Sequence, residues 1–208
     1  MAVKAGRYRG MSAQERAATR RAQLLAATLD VWGADGGPRV TMTRICAEAG
    51  LTERYFYEHF ASLDEALTAA MQQVGDEITV AALAAIEETE GGPTERIRAA
   101  IGAFVAIITD DPRKGRVTML EAPGRPELRP ARNALLRAFA ELATREGRAL
   151  YGDDAWAGQP GDLAGLMFVG GVQELVTAWL DGTLDVTPDD IVEAATRAFA
   201  ATARGAQD

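Results

Sequence analysis

The sequence predicts an all-α chain in which a short N-terminal three-helix unit precedes a larger helical domain. Alanine is abundant and β-branched residues rarely alternate with polar ones. Turn signals divide the chain into helix-length pieces, and three short pieces fall before residue 60. With 208 residues, 48 % of them hydrophobic, the chain can bury a substantial core.

Residues 1–15 read as a flexible basic arm. A first helix runs from about Gln14 to Ala34, with Leu24, Leu25, Thr28, Leu29 and Trp32 on one side, and Gly36-Gly37-Pro38 ends it. Thr41 can cap a helix over Met42–Ala49, stopped by Gly50, and Thr52 can cap another over Glu53–Phe60. The sharp Ala49-Gly50-Leu51-Thr52 turn matches a helix-turn-helix with a supporting helix before it, because glycine accepts the left-handed backbone there. Ser62 can cap a long helix from Leu63 to about Glu90, ended by Gly91-Gly92-Pro93, and Thr94 can cap Glu95–Thr109. A short helix near Arg113–Glu121 leads into a Pro/Gly-rich joint from Ala122 to Pro130. Helices over about Ala131–Leu150, Gly161–Leu180 and Pro188–Ala203 complete the chain, with a loop at 150–161. The expected division is 1–15 arm, 16–62 helix-turn-helix domain, 63–204 helical domain and 205–208 tail.

The formal net charge of −8 is unevenly spread. Residues 1–60 hold nine Lys/Arg against six Asp/Glu, whereas the remainder holds thirteen against twenty-four. Only the first part can face a phosphate backbone without repulsion. Cys46 is the sole cysteine, so an internal disulfide is excluded and a reducing compartment is the natural reading. No signal peptide is evident, and Asp76, Glu77 and Glu174 interrupt the most apolar stretches. The expectation is a cytoplasmic protein with no membrane association. His59 is the single histidine, which leaves little for a metal site or a His-based nucleophile; no metal or cofactor is expected.

The series Leu24-Leu25-Ala26-Ala27, Trp32, Gly36, Thr41-Met42, Ile45, Ala49-Gly50-Leu51-Thr52, Phe56-Tyr57, His59-Phe60, Ser62 and Leu67 resembles the TetR family of bacterial transcriptional regulators. The resemblance implies a DNA-binding helix-turn-helix domain followed by a ligand-binding and dimerisation domain. Glu53, Arg54 and Tyr55 would open the recognition helix and reach base edges. Arg54 can pair bidentately with guanine or contact a phosphate. Thr41, Thr43, Arg44, Thr52, Tyr57 and His59 complete the expected DNA-contacting set, largely as phosphate-positioning groups. Tyr57 has core packing as its alternative, and Cys46 reads as a small buried hydrophobe. One departure is Leu63, where the family usually places a lysine; Lys4, Arg7, Arg9, Arg16, Arg20 and Arg21 offer compensating charge.

Beyond residue 70 the resemblance is architectural. It implies a homodimer seam made by the last two long helices through Leu166, Val169, Val172, Val176, Trp179, Ile191 and Phe199, some of which must instead face the protomer's own core. It also implies a cavity for a small apolar or amphipathic effector, with Met71, Val74, Ile78, Phe104, Ile108, Met119, Phe139 and Phe168 as candidate walls, each with plain core packing as its alternative. Gln173 and Glu174 would orient a ligand, or Glu174 would pair across the dimer. The expected function is a ligand-responsive, non-enzymatic repressor on a double-stranded, inverted-repeat operator. Its rivals are an activator of the same fold, and a helical small-molecule-binding protein or enzyme. For an enzyme the sequence offers only scattered Asp/Glu.

Overall fold

A computed structural model describes residues 12–34, 39–153, 155–156 and 161–203. Lys4, Arg7 and Arg9 of the arm, the Gly36-Gly37-Pro38 stop, residues 158–160 of the loop and the 205–208 tail lie outside the described residues.

Helix α1 (Ala13–Gly33) begins earlier than the arm reading allowed, because Ser12 and Glu15 cap it reciprocally. The Glu15 N–H donates to the Ser12 hydroxyl at 3.1 Å, and the Ser12 N–H donates to the Glu15 carboxylate at 2.6 Å. These bonds hold the Glu15 carboxyl below its ordinary range. Helix α2 (Met42–Ala49) is capped by Thr41, whose hydroxyl accepts from the Arg44 N–H at 3.3 Å. Gly50 ends it at φ +65°.

Helix α3 covers only Glu53–Tyr57, shorter than the sequence suggested, and the Thr52 side chain makes no cap bond. The chain tightens after Tyr57, with His59 and Phe60 both donating to the Phe56 carbonyl, and this turns Phe60 into the core. Ser62 caps α4 (Leu63–Glu88), and α5 (Pro93–Asp110) starts one residue before the expected cap, Thr94. Pro93 takes the first helical position, where its fixed φ suits the helix, and Gly92 is the cap. The Thr94 hydroxyl instead meets the Tyr151 hydroxyl at 3.2 Å.

A single-turn α6 (Pro112–Gly115) runs into a π-helical segment, Arg116–Glu121. The expected irregular joint is formed by two 3₁₀ turns, Ala122–Gly124 and Pro126–Leu128. Helices α7 (Arg129–Tyr151), α8 (Gly161–Leu180) and α9 (Pro188–Ala203) follow.

Two cores organise the helices. The first gathers Leu24, Ile45, Phe56 and Phe60 with Ala66, Leu67, Ala70 and Met71 of α4. It also takes in Val117, Ala122 and Leu128, so the π-helical segment and the turns after it are packed into the helix-turn-helix unit. The second core lies between α5, α8 and α9 around Ile101, Val105, Val176, Ile191 and Phe199. Three residues expected at a subunit seam are therefore spent inside the protomer: Val176, Ile191 and Phe199 are 1–2 % exposed. Helices α8 and α9 each turn one apolar side inward, and these residues occupy it. The outward side of α8 leaves Leu163, Leu166 and Met167 exposed. Leu163–Leu180 is long and apolar enough to cross a membrane by length and composition alone, with 17 % of it buried and Glu174 within it.

Candidate nucleic-acid interface

The turn at Gly50 and the anchoring of Phe56 in the first core project the front of α3 outward. Thr41, Thr43, Thr52, Glu53, Arg54 and Tyr57 are all exposed, while Arg44 and His59 are half-buried. The Arg54 side chain is 86 % exposed and lies 3.4 Å from the Glu58 carboxylate one turn on. Tyr57, 59 % exposed, is a surface aromatic, which answers its core alternative; its ring meets Phe56 edge-on. The Thr43 hydroxyl donates to the Glu53 carboxylate at 3.3 Å and links α2 to α3.

Two partners escaped the sequence reading. The Arg20 guanidinium sits over the Tyr55 ring at 4.7 Å and lies 3.6 Å from Glu58, so Tyr55 is half-buried beneath α1. Glu58 thus holds Arg20 and Arg54 together, one from each helix. The Arg20 Nε and His59 Nε2 are buried with no hydrogen-bond partner among the described residues. Burial pushes the Cys46 thiol up, with a smaller push from Glu53, which keeps the sulfur protonated and suits a packing role.

Behind this surface, α6 fixes the helical domain to α1. Arg113 pairs with Asp30 of α1 and with Asp111 at 2.8 Å, and Lys114 pairs with Glu77 of α4. The Arg113 guanidinium holds the Asp111 carboxyl below the usual carboxylate range. Contact is close enough that a Cβ on Gly33 would stand 2.7 Å from the Arg113 Cβ and 3.0 Å from its backbone.

Above α6 lies a cavity of about 170 Å³ bounded by α4, α5, the π-helical segment, α7 and α8. Met71, Ile78, Phe104, Met119, Phe139, Phe168 and Gln173 line it, as does Val169, expected at the seam. Val74 and Ile108 do not line it; they are 1–2 % exposed and fill the packing between helices. Glu174 faces away, onto a groove between α8 and α9 that also holds Met167, Gly171 and Ala198. Arg132 and Glu146 line the cavity and were missed, although the spacing Arg132, Leu135, Leu136, Phe139, Leu142, Glu146 marks one helical stripe.

Residues 24–74 match the model of the bacterial regulatory proteins of the tetR family. This stretch is therefore a TetR-type N-terminal regulatory domain. Its general function is accordingly DNA-binding transcription regulation through the helix-turn-helix. No curated protein matches the sequence significantly. Among solved structures, the fatty acid degradation regulator FadR from Bacillus halodurans superposes with a TM-score of 0.74 at 18 % identity, over 90 % of this chain and 96 % of that one. FadR from Bacillus subtilis, in complex with stearoyl-CoA, gives 0.69 at 20 % identity over 86 % and 96 %. A tetR-family regulator from Streptomyces coelicolor gives 0.68 at 19 % identity over 91 % and 81 %. At these identities the likeness establishes the all-α TetR-like fold.

Proposed function

We propose that this chain is a TetR-family repressor that binds an inverted-repeat operator as a homodimer and is released by a small apolar or amphipathic effector. The observation that carries the reading is the exposed front of α3. Arg54 stands there free of the core, on one surface with Thr41, Thr43, Thr52, Glu53 and Tyr57. In this reading Arg54 reads a base edge and the hydroxyl residues, with Arg44 and His59, fix register on phosphates. Tyr55 acts by positioning, since Arg20 covers its ring.

The outward face of α8 and α9 supports a two-fold seam. It is apolar at Leu166 and Met167 and small at Gly170, Gly171 and Ala198, so a second copy can approach closely. Val172 and Trp179 are half-buried in the protomer and border that face, while Glu174 beside it would meet polar groups across the axis. The exposed apolar stretch of α8 is thereby covered by protein instead of lipid. An effector in the cavity supports release because its walls include Met71 and Met119, which sit on the elements that meet α1. A solved neighbour of the same fold, in complex with stearoyl-CoA, supports an amphipathic molecule.

Selection of bound duplexes from a random library tests this. The reading expects an inverted repeat with half-site centres about 34–36 Å apart, bound by two chains. Enrichment of no sequence would overturn it. A reporter with the selected site upstream separates repression from activation.

A further inference from the structure

We infer that the cavity takes an amphiphile with one apolar chain and an anionic head, and that the head is held by Arg132 at the end nearest the DNA-binding unit. The inference rests on the effector reading above and names the chemistry of its ligand.

The lining of the cavity extends along α7. Arg132 and Glu146 lie on the same stripe of α7, fourteen residues apart, which is about 21 Å along the helix at 1.5 Å per residue. Between them the stripe is entirely apolar: Leu135, Leu136, Phe139, Leu142 and Ala143. On the opposite wall, α4 is likewise apolar from Met71 to Ile86. A slot of this shape suits an extended hydrocarbon chain better than a compact polycyclic one.

The two charged ends differ. Glu146 has a cation of its own, with Arg145 Nε 3.0 Å from its carboxylate. Arg132 is half-buried, and among the described residues it has no hydrogen-bond or ion-pair partner. An unpaired guanidinium beside an apolar wall is stabilised by an anion, and its planar fork matches a carboxylate or phosphate with two parallel bonds.

Arg132 also lies where a ligand can be felt by the DNA-binding unit. Ala131 and Leu135, on either side of it in sequence, pack against the first core. Packing sets Gly165 of α8 against Ala140 and Thr144 of α7, and Leu180 at the other end of α8 against Gly115. Helices α7 and α8 therefore run antiparallel, which brings Gln173, two turns beyond Gly165, back towards the Arg132 end. Its amide is a second polar group for the head. Thr118 of the π-helical segment lines the same cavity, with its hydroxyl already donating to the Lys114 carbonyl at 2.8 Å. A head seated between these groups touches the segment that follows α6, whose Arg113 is clamped to Asp30 of α1. A carboxylate or an acyl-linked phosphate group carries the same chemistry here.

The test uses full-length protein and three probes of equal chain length: hexadecanoate, hexadecanol and hexadecyltrimethylammonium, with palmitoyl-CoA as a phosphate-bearing fourth. Binding is followed by calorimetry below the micelle threshold, and DNA release is followed on the selected operator. The expected result is at least tenfold tighter binding of an anionic probe than of the alcohol, and no binding of the cation. Arg132→Gln should erase that preference while leaving alcohol affinity within twofold, and Arg132→Lys should restore part of it. Hexadecanoate binding without palmitoyl-CoA binding identifies a free carboxylate as the head, and the converse identifies the phosphates. Equal binding of acid and alcohol, or a preference unchanged in Arg132→Gln, overturns the inference and leaves the effector reading intact. If no probe of any charge binds or releases DNA, the apolar-effector reading fails with it. Thermal unfolding of Arg132→Gln without ligand confirms that the variant is folded.

Discussion

Single side chains decide how α3 meets DNA, and Glu58 is the one whose effect is least obvious. It holds both Arg20 and Arg54 at 3.4–3.6 Å, and in the proposed complex it would compete with phosphates and base edges for them. Glu58→Gln should therefore raise affinity for unrelated DNA and steepen the fall of log K with log salt by roughly one charge; a salt titration on random duplex measures it. Arg54→Ala should cost about 1–3 kcal/mol on the preferred sequence and relax one half-site position. Thr43→Ala should weaken all sequences alike, and a panel of mutated operators separates the two. That Arg54, Thr43 and Tyr57 lie on an exposed surface follows from the family resemblance, which places them on the two helices flanking the Gly50 turn. Arg20 over Tyr55 was not legible in the sequence, because that contact joins residues 35 apart in sequence and depends on how α1 crosses α3. Arg132 could have been found: a lone cation on an apolar stripe breaks the pattern of α7.

The elements themselves were read well where local chemistry fixes them. Thr41, Ser62 and Gly50 each sit at a helix boundary through a bond or a dihedral that only a few residue types supply. Gly50→Ala should cost about 1 kcal/mol or slightly more, since its φ of +65° disfavours any Cβ although nothing lies within 4 Å; chemical denaturation measures it. The sequence was less informative where tertiary packing overrides local preference. Helix α3 stops early because Phe60 is drawn into the core. The π-helical segment has no sequence signature, yet it places Val117 in one core while Thr118 and Met119 line the cavity.

Helix α6 gives a pH-dependent prediction. Asp111 caps it and pairs with Arg113, which depresses its pKa, so its contribution to stability is present above the unfolded-state value and lost as pH falls. Asp111→Asn keeps a capping side chain but loses the ion pair, so it should be less stable than wild type by a few tenths to about 1 kcal/mol near neutrality, and the gap should close below about pH 4. Unfolding curves across that range give the comparison. Gly33→Ala should press α6 off α1 through the Arg113 backbone, and the readout is a changed operator affinity with the recognition residues intact.

At the scale of the whole molecule, the faces of α8 and α9 show why a seam is hard to assign from sequence. Both sides of α8 are apolar, and periodicity cannot say which is turned to the protomer's own core. Val176 lies on the inner side, while Leu166 and Met167 lie on the outer one. Ala198→Arg, on the exposed side of α9, should therefore shift the chain towards monomer in sedimentation and weaken operator binding, while leaving the second core unaltered. In the proposed dimer that seam would carry the two recognition helices at a fixed separation. Operator affinity measured as the half-site spacing is lengthened by five base pairs tests this most directly. About half a helical turn is added, which rotates one half-site to the far side of the duplex. The account predicts that affinity falls to the level of unrelated DNA and stays there when ten base pairs are added, because the second half-site then faces the protein again but lies about 34 Å further along the duplex. Affinity that is indifferent to spacing would contradict a rigid dimer reading an inverted repeat.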